Sequence, residues 1–275
     1  MSRMPPTRRL SVTRVTTEGQ ASVRALGEDE VAVEEPLELR VEGESLLVTM
    51  RTPGHDVELA AGLLYTEGVI DGADDLVAVA HIDDPADARG NTLDTRLAGG
   101  VRRGETTLLS SQRAMFASSA CGICGGATVD RVLGRVGPLT TPRRASPELL
   151  LSLPARMREA QASFAKTGGL HAAALFDFDG VLEVLREDIG RHNAVDKVLG
   201  WRLLRDEVPV DDRVLLVSGR AGFELVQKAI VARVPVMAAI GAPSSLAVDL
   251  ARAAGMQLVG FLRDGRLNDY SATIG

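Results

Sequence analysis

The chain has 275 residues, of which 45% are hydrophobic and 25% charged, enough for one large hydrophobic core or two modest ones. A net charge of −6 and an aromatic content of 3% exclude the basic footprint and the base-stacking platforms of a nucleic-acid binder. No run of about 18 apolar residues occurs, so no membrane-spanning helix is expected.

Met1 to Arg9 is basic but leads into no apolar segment, and it does not read as a secretory signal. Residues 1–14 are expected to be a disordered leader. From Glu30 to Thr52 the pattern is that of strands: Leu37, Leu39 and Val41 alternate with Glu38, Arg40 and Glu42, and Gly43-Glu44 turns into Leu46-Leu47-Val48. Val57 to Thr66 reads as a helix with Gly68 as its stop. Strands follow at Leu76–Ile82 and Thr92–Leu97, then a Gly-rich polar connection from Ala98 to Gln112. Ser146-Pro147-Glu148 is a helix start, with Ser as N-cap and Pro in the first turn, and Pro154 is expected to split that helix in two. The second piece ends at Gly168-Gly169.

Beyond Gly169 strands alternate with helices. His171–Phe176 and Val181–Leu185 form a hairpin across Asp179-Gly180, and a helix runs from about Asn193 to Leu204. Strands at Arg213–Val217, Val234–Ile240 and Gln257–Leu262 are separated by helices ending at Ala232 and Ala254. This alternation implies parallel βαβ units and an α/β sandwich. The expected division is a β-rich N-terminal lobe at 15–145 and an α/β core at 146–275.

Cys121 and Cys124 are the only cysteines, set in Ser118-Ser119-Ala120-Cys121-Gly122-Ile123-Cys124-Gly125-Gly126. Such a dithiol in a chain without export signals suits a reducing cytosol. A redox pair would need an electropositive spot such as a helix N-terminus, and Gly125-Gly126-Ala127-Thr128 is a weak helix opening. A structural zinc site lacks its second pair of ligands, because His55, His81, His171 and His192 are scattered. The deaminase-type zinc signature is also missing: no His is followed by Glu two residues on, and Ala120 stands where Pro is required. A persulfide carrier suits a Gly-flanked loop that must visit a donor and an acceptor. From chemistry alone, redox exchange, sulfur carriage, metal binding and inert thiols all stay open.

Three further segments are candidates. Arg186 to Lys197 packs charges of both signs, His192 and Asn193 into a strand-to-helix turn, readable as a solvated helix cap or as a polar site at the mouth of a sheet. Ser218-Gly219-Arg220-Ala221-Gly222 joins a buried strand to a helix N-terminus, a geometry that binds anions, although no Walker motif is present. Phe261-Leu262-Arg263-Asp264-Gly265-Arg266 ends the last strand with two arginines able to pair with phosphates.

The dithiol segment, Thr167–Ala173, Glu187–Lys197 and Ser218–Arg220, in that order, resemble the FdhD/NarQ family of formate dehydrogenase accessory proteins. The resemblance runs from about residue 30 to 275. It implies the cytidine deaminase-like α/β fold without the zinc. It also implies a homodimer and a sulfurtransferase that takes sulfur from an IscS-type cysteine desulfurase. The acceptor would be the molybdenum or tungsten bis(molybdopterin guanine dinucleotide) cofactor of formate dehydrogenase, bound in passing and not as a permanent cofactor. Cys121 would carry the persulfide with Cys124 as partner. Phe261, Leu262, Arg263, Asp264, Gly265 and Arg266, with Ser218, Gly219, Arg220 and His192, would hold the cofactor. Gly126 departs from many relatives, which carry Lys there. A cofactor-binding chaperone without sulfur chemistry is the alternative.

Overall fold

The computed structural model describes residues 4–18, 21–82, 89–100, 125–140, 143–263 and 265–271. In chain order the strands are β1 (Thr7–Glu18), β2 (Ala21–Ala32), β3 (Glu35–Val41), β4 (Glu44–Arg51), β5 (Leu76–His81), β6 (Thr92–Leu97), β7 (His171–Phe176), β8 (Leu182–Asp188), β9 (Val214–Val217), β10 (Val236–Ala239), β11 (Gln257–Arg263) and β12 (Arg266–Asp269). The helices are α1 (Asp56–Glu67), α2 (Gly125–Val136), α3 (Pro147–Ala160), α4 (Ala162–Thr167), α5 (Arg191–Leu203), α6 (Phe223–Val231) and α7 (Ser245–Ala254).

The chain is α/β. Its main sheet runs β12-β11-β10-β9-β7-β8. β9, β10 and β11 are parallel, β7 is antiparallel to both β8 and β9, and β12 is antiparallel to β11. The sheet is therefore mixed, because the β7–β8 hairpin inserts one reversed strand among the four that point the same way. Alternate residues serve its two faces. Ala173, Leu175, Leu215, Val217, Met237 and Leu258 join the core shared with α1, α5, α6 and α7. Ala172, Ala174, Phe176, Leu216, Ala238 and Val259 pack with Leu150, Leu153 and Met157 of α3. β9 and β10 are buried on both faces, which is why they read as unbroken apolar runs.

A second sheet, β4-β3-β6-β5, carries the expected alternation on β3, with Leu37, Leu39 and Val41 all buried. These residues lie in the same continuous core as α1 and α5, so the two parts expected from the sequence share one interior. The helix pair at that junction is set by two glycines. A Cβ on Gly62 would lie 1.8 Å from the Asp196 carbonyl oxygen, and one on Gly200 would lie 1.9 Å from that of Glu58. Only glycine at both positions lets α1 and α5 approach this closely.

Two expectations are corrected. Residues 7–14 are not a disordered leader: they lie in β1, paired antiparallel with β2 from Thr7↔Ala32 to Glu18↔Ala21. The β-branched Val and Thr residues of β1 favour a strand, and its partner lies beyond the segment that the basic charge drew attention to. Pro154 does not divide its helix. α3 continues through it, because Leu150, Leu153 and Met157 bury one face against the sheet and outweigh the single lost hydrogen bond. The break comes at Gln161, where the Glu187 carboxylate accepts from the Ser163 and Phe164 backbone N–H groups at 2.9 and 2.6 Å. Ser146 does cap α3, its hydroxyl accepting from Leu149 N–H.

Gly62→Ala is expected to destabilise the protein by about 1–3 kcal/mol or more, since the clash is with backbone that cannot rotate away. Urea unfolding checks this: a midpoint equal to that of the parent would contradict the close-crossing account.

Candidate functional site

β8, β9, β10 and β11 all end on the same edge of the main sheet, and antiparallel β7 begins there. Ser218 fastens the end of β9 to the start of β7: its N–H donates to the Ala172 carbonyl at 2.9 Å, and its hydroxyl accepts from Ala172 N–H at 2.8 Å. A backbone ladder then continues past the strands. Gly241 N–H donates to the Gly219 carbonyl and Phe261 N–H to the Gly241 carbonyl, both at 3.0 Å. Gly241 must be glycine, because its Cβ would stand 2.9 Å from the Gly219 oxygen. Phe261 takes a left-handed backbone (φ 52°) where the β11–β12 register shifts. The chain there bends out of the ladder into the hairpin that bears Arg263 and Arg266.

The described members of the sequence-expected binding set thus lie at one sheet edge, where helix N-termini also gather. Arg220, Arg263, Gly265 and Arg266 are exposed, and Gly219 and Phe261 are half-buried. Leu262 is fully buried in the α3-side core, so its side chain packs the interior and faces no ligand. His192 pairs through Nε2 with Glu224 at 2.8 Å, linking the first turns of α5 and α6. That bond holds the Glu224 carboxyl below its usual range. Cys121, Cys124 and Asp264 lie outside the described residues. α2 covers Gly125–Val136, so the Gly-Gly pair that made a helix look weak lies within one.

The charged run at 186–197 is not a solvated cap. Asp188 is fully buried and Lys197 is 1% exposed, and they pair at 2.7 Å. Asp188 also accepts from the backbone N–H groups of Thr52 (3.2 Å) and Gly190 (2.8 Å) and from Asn193 Nδ2 (3.1 Å). Lys197 Nζ donates to the Thr52 carbonyl at 2.9 Å. Gly190 is the N-cap of α5, with no side-chain bond. This cluster locks the β8–α5 turn to the β4–α1 turn and sets where Arg191 and His192 stand.

Sequence reasoning assigned no role to His171 or Arg191. His171 starts β7, with Nδ1 3.3 Å from the position a Cβ on Gly219 would take. Burial keeps its pKa below the usual histidine value, and the charges of Arg191 and His192 lower it further. The available signal was its register opposite Asp188, which only the hairpin pairing supplies.

On the far side of the β4–α1 turn, a cavity of about 140 Å³ is lined by Gly54, His55, Asp56, Val57, Glu58 and His81. Each carboxylate there is held by an arginine and a histidine. Arg51 pairs bidentately with Asp56, which His81 meets at 3.3 Å, and Arg186 pairs with Glu58, which His55 meets at 3.3 Å. Burial alone would raise the Glu58 carboxyl, but the Arg186 and His55 bonds prevail and lower it to about 2.

Removing the Lys197 ammonium leaves a buried carboxylate without its counter-charge. Lys197→Met is expected to cost about 3–5 kcal/mol in urea unfolding, and a loss below about 1 kcal/mol would contradict that account. Glu58 titrates lower in the folded chain than at its unfolded value of about 4.3. Its contribution is therefore present above that value and lost as the pH falls toward about 2. Arg186→Met should shift the acid-unfolding midpoint, followed by circular dichroism, to higher pH.

Comparison with known proteins places this architecture. The FdhD/NarQ family matches residues 32–274. The chain is 47% identical over 274 residues to "Sulfur carrier protein FdhD" of Mycolicibacterium paratuberculosis, covering 98% of each chain. It is 48% identical over 271 residues to the protein of the same name from Streptomyces coelicolor, covering 96% of this chain and 94% of that one. Among solved structures, a Desulfotalea psychrophila protein described as a formate dehydrogenase accessory protein shares the fold. Its TM-score is 0.72 at 22% identity, with 98% of both chains covered. The chain belongs to the FdhD/NarQ family.

Proposed function

We propose that this protein is a sulfur carrier in the maturation of formate dehydrogenase, working through a persulfide on Cys121. The observation that carries the reading is near-full-length similarity, at 47% identity, to a protein named as a sulfur carrier, in a chain whose only two cysteines form one Cys-x-x-Cys pair. The Cys121 thiolate attacks the outer sulfur of a cysteine desulfurase persulfide. The donor S–S bond breaks, the donor cysteine leaves as thiolate, and the outer sulfur stays on Cys121.

The acceptor in this reading is the metal of a bis(molybdopterin guanine dinucleotide) cofactor, held as substrate before it enters formate dehydrogenase. Its pyrophosphates call for cations and free backbone N–H groups. The edge that gathers Ser218-Gly219-Arg220, His192 and the Arg263–Arg266 hairpin provides both. A reducing cytosol would keep the thiols available, and a homodimer is the assembly the family resemblance suggests.

Intact mass spectrometry after incubation with a cysteine desulfurase and free cysteine tests the reading. One added sulfur on the parent chain and none on Cys121→Ala is expected. The same variant should fail to activate formate dehydrogenase in cells. An unmodified parent chain, or full activation by Cys121→Ala, would replace sulfur carriage with a cofactor-binding chaperone.

A further inference from the structure

Beside Gly219, groups that carry or can take positive charge gather with little to neutralise them. Arg191 opens α5, and its Nε is buried with no hydrogen-bond partner. Leaving such a donor unmet forfeits its hydration with nothing in exchange. The Arg191 Cδ and the His171 Nδ1 approach the same bare side of Gly219, 3.8 and 3.3 Å from where its Cβ would stand. His192 is close enough for its charge, with that of Arg191, to disfavour protonation of His171.

The nearby carboxylates are committed elsewhere. Asp188, which favours protonated His171, is held by Lys197, Asn193 and the Thr52 and Gly190 N–H groups. Glu224 faces His192. The first turn of α5 has no side-chain cap, so its backbone dipole adds to the same positive field.

We propose that His171 and Arg191 form an anion subsite beside Gly219 that takes one phosphate group of a pyrophosphate-bearing ligand. Arg191 donates from its guanidinium, and His171 donates once it has taken up a proton. Gly219, having no Cβ, lets both side chains pack against its backbone. Assigning this phosphate to the guanine dinucleotide acceptor rests on the function proposed above, whereas the subsite itself involves neither cysteine. An anion at this position raises the proton affinity of His171. Binding is therefore accompanied by proton uptake and tightens as the pH falls.

Isothermal titration of the full chain with inorganic pyrophosphate at low ionic strength tests the subsite. Arg191→Met is expected to weaken binding about tenfold or more, with part recovered in Arg191→Lys. His171→Gln should flatten the rise in affinity between about pH 8 and about pH 6, and it carries the test if Arg191→Met does not fold. Absence of pyrophosphate binding by the parent chain, or parent-like binding by Arg191→Met, would overturn the proposal. So would loss confined to an Arg263→Ala, Arg266→Ala double variant, which would put the anion on the hairpin. Persulfide loading of Cys121, read by intact mass, should be unchanged in Arg191→Met. A failed subsite and a failed sulfur-carrier reading therefore give different results.

Discussion

The geometry of the candidate site depends on one buried ion pair. Asp188 and Lys197 are both removed from water and meet at 2.7 Å. Taking two such charges inside is tolerable only because the remaining lone pairs and protons are also matched. Thr52, Gly190 and Asn193 donate to the carboxylate, and the Thr52 carbonyl accepts from the ammonium. The pair therefore joins three pieces of chain distant in sequence: the end of β4, the end of β8 and the body of α5. A hydrophobic pair would fill the same volume without fixing the two turns relative to each other.

The far end of α1 repeats the device against the same turn of α5. Lys228 of α6 meets Asp196 of α5 at 2.9 Å and donates to the Thr66 hydroxyl of α1 at 2.8 Å, and Thr66 donates to Asp196 at 2.8 Å. Along α1, between these polar locks, lies the Gly62–Gly200 crossing, where backbone meets backbone. α1 is thus pinned at both ends and pressed flat in the middle, which explains why it is buried around most of its circumference. A helix held in this way transmits position from the small sheet to the edge where β8, β9, β10 and β11 end.

That edge has the character expected of a site for an anionic ligand. It combines helix N-termini without side-chain caps, exposed arginines, glycines that let neighbouring chain pack closely, and one histidine whose pKa burial and neighbouring cations lower. The exposed residues offer charge that is cheap to hold in water, while Arg191 is positioned by the buried frame beneath it. In the proposed function, sulfur chemistry on Cys121 and ligand holding at the sheet edge are separate tasks, carried by segments far apart in the chain.

The sequence by itself determined the α/β class, most strand and helix positions beyond Gly169, the Gly68 stop, the Ser146 cap and the family. These follow from local periodicity and from turn and capping chemistry, which act over a few residues. It also marked Cys121 and Cys124 as the only thiols and put Gly219, Arg220, Arg263 and Arg266 among the site candidates. Tertiary structure alone decided the β1–β2 pairing, the continuity of α3 through Pro154, the burial of Asp188 and Lys197, and the interior placement of Leu262. It also brought His171 and Arg191 to one glycine. Each of these depends on contacts with distant chain, and pairing or burial of that kind leaves no local periodicity to read.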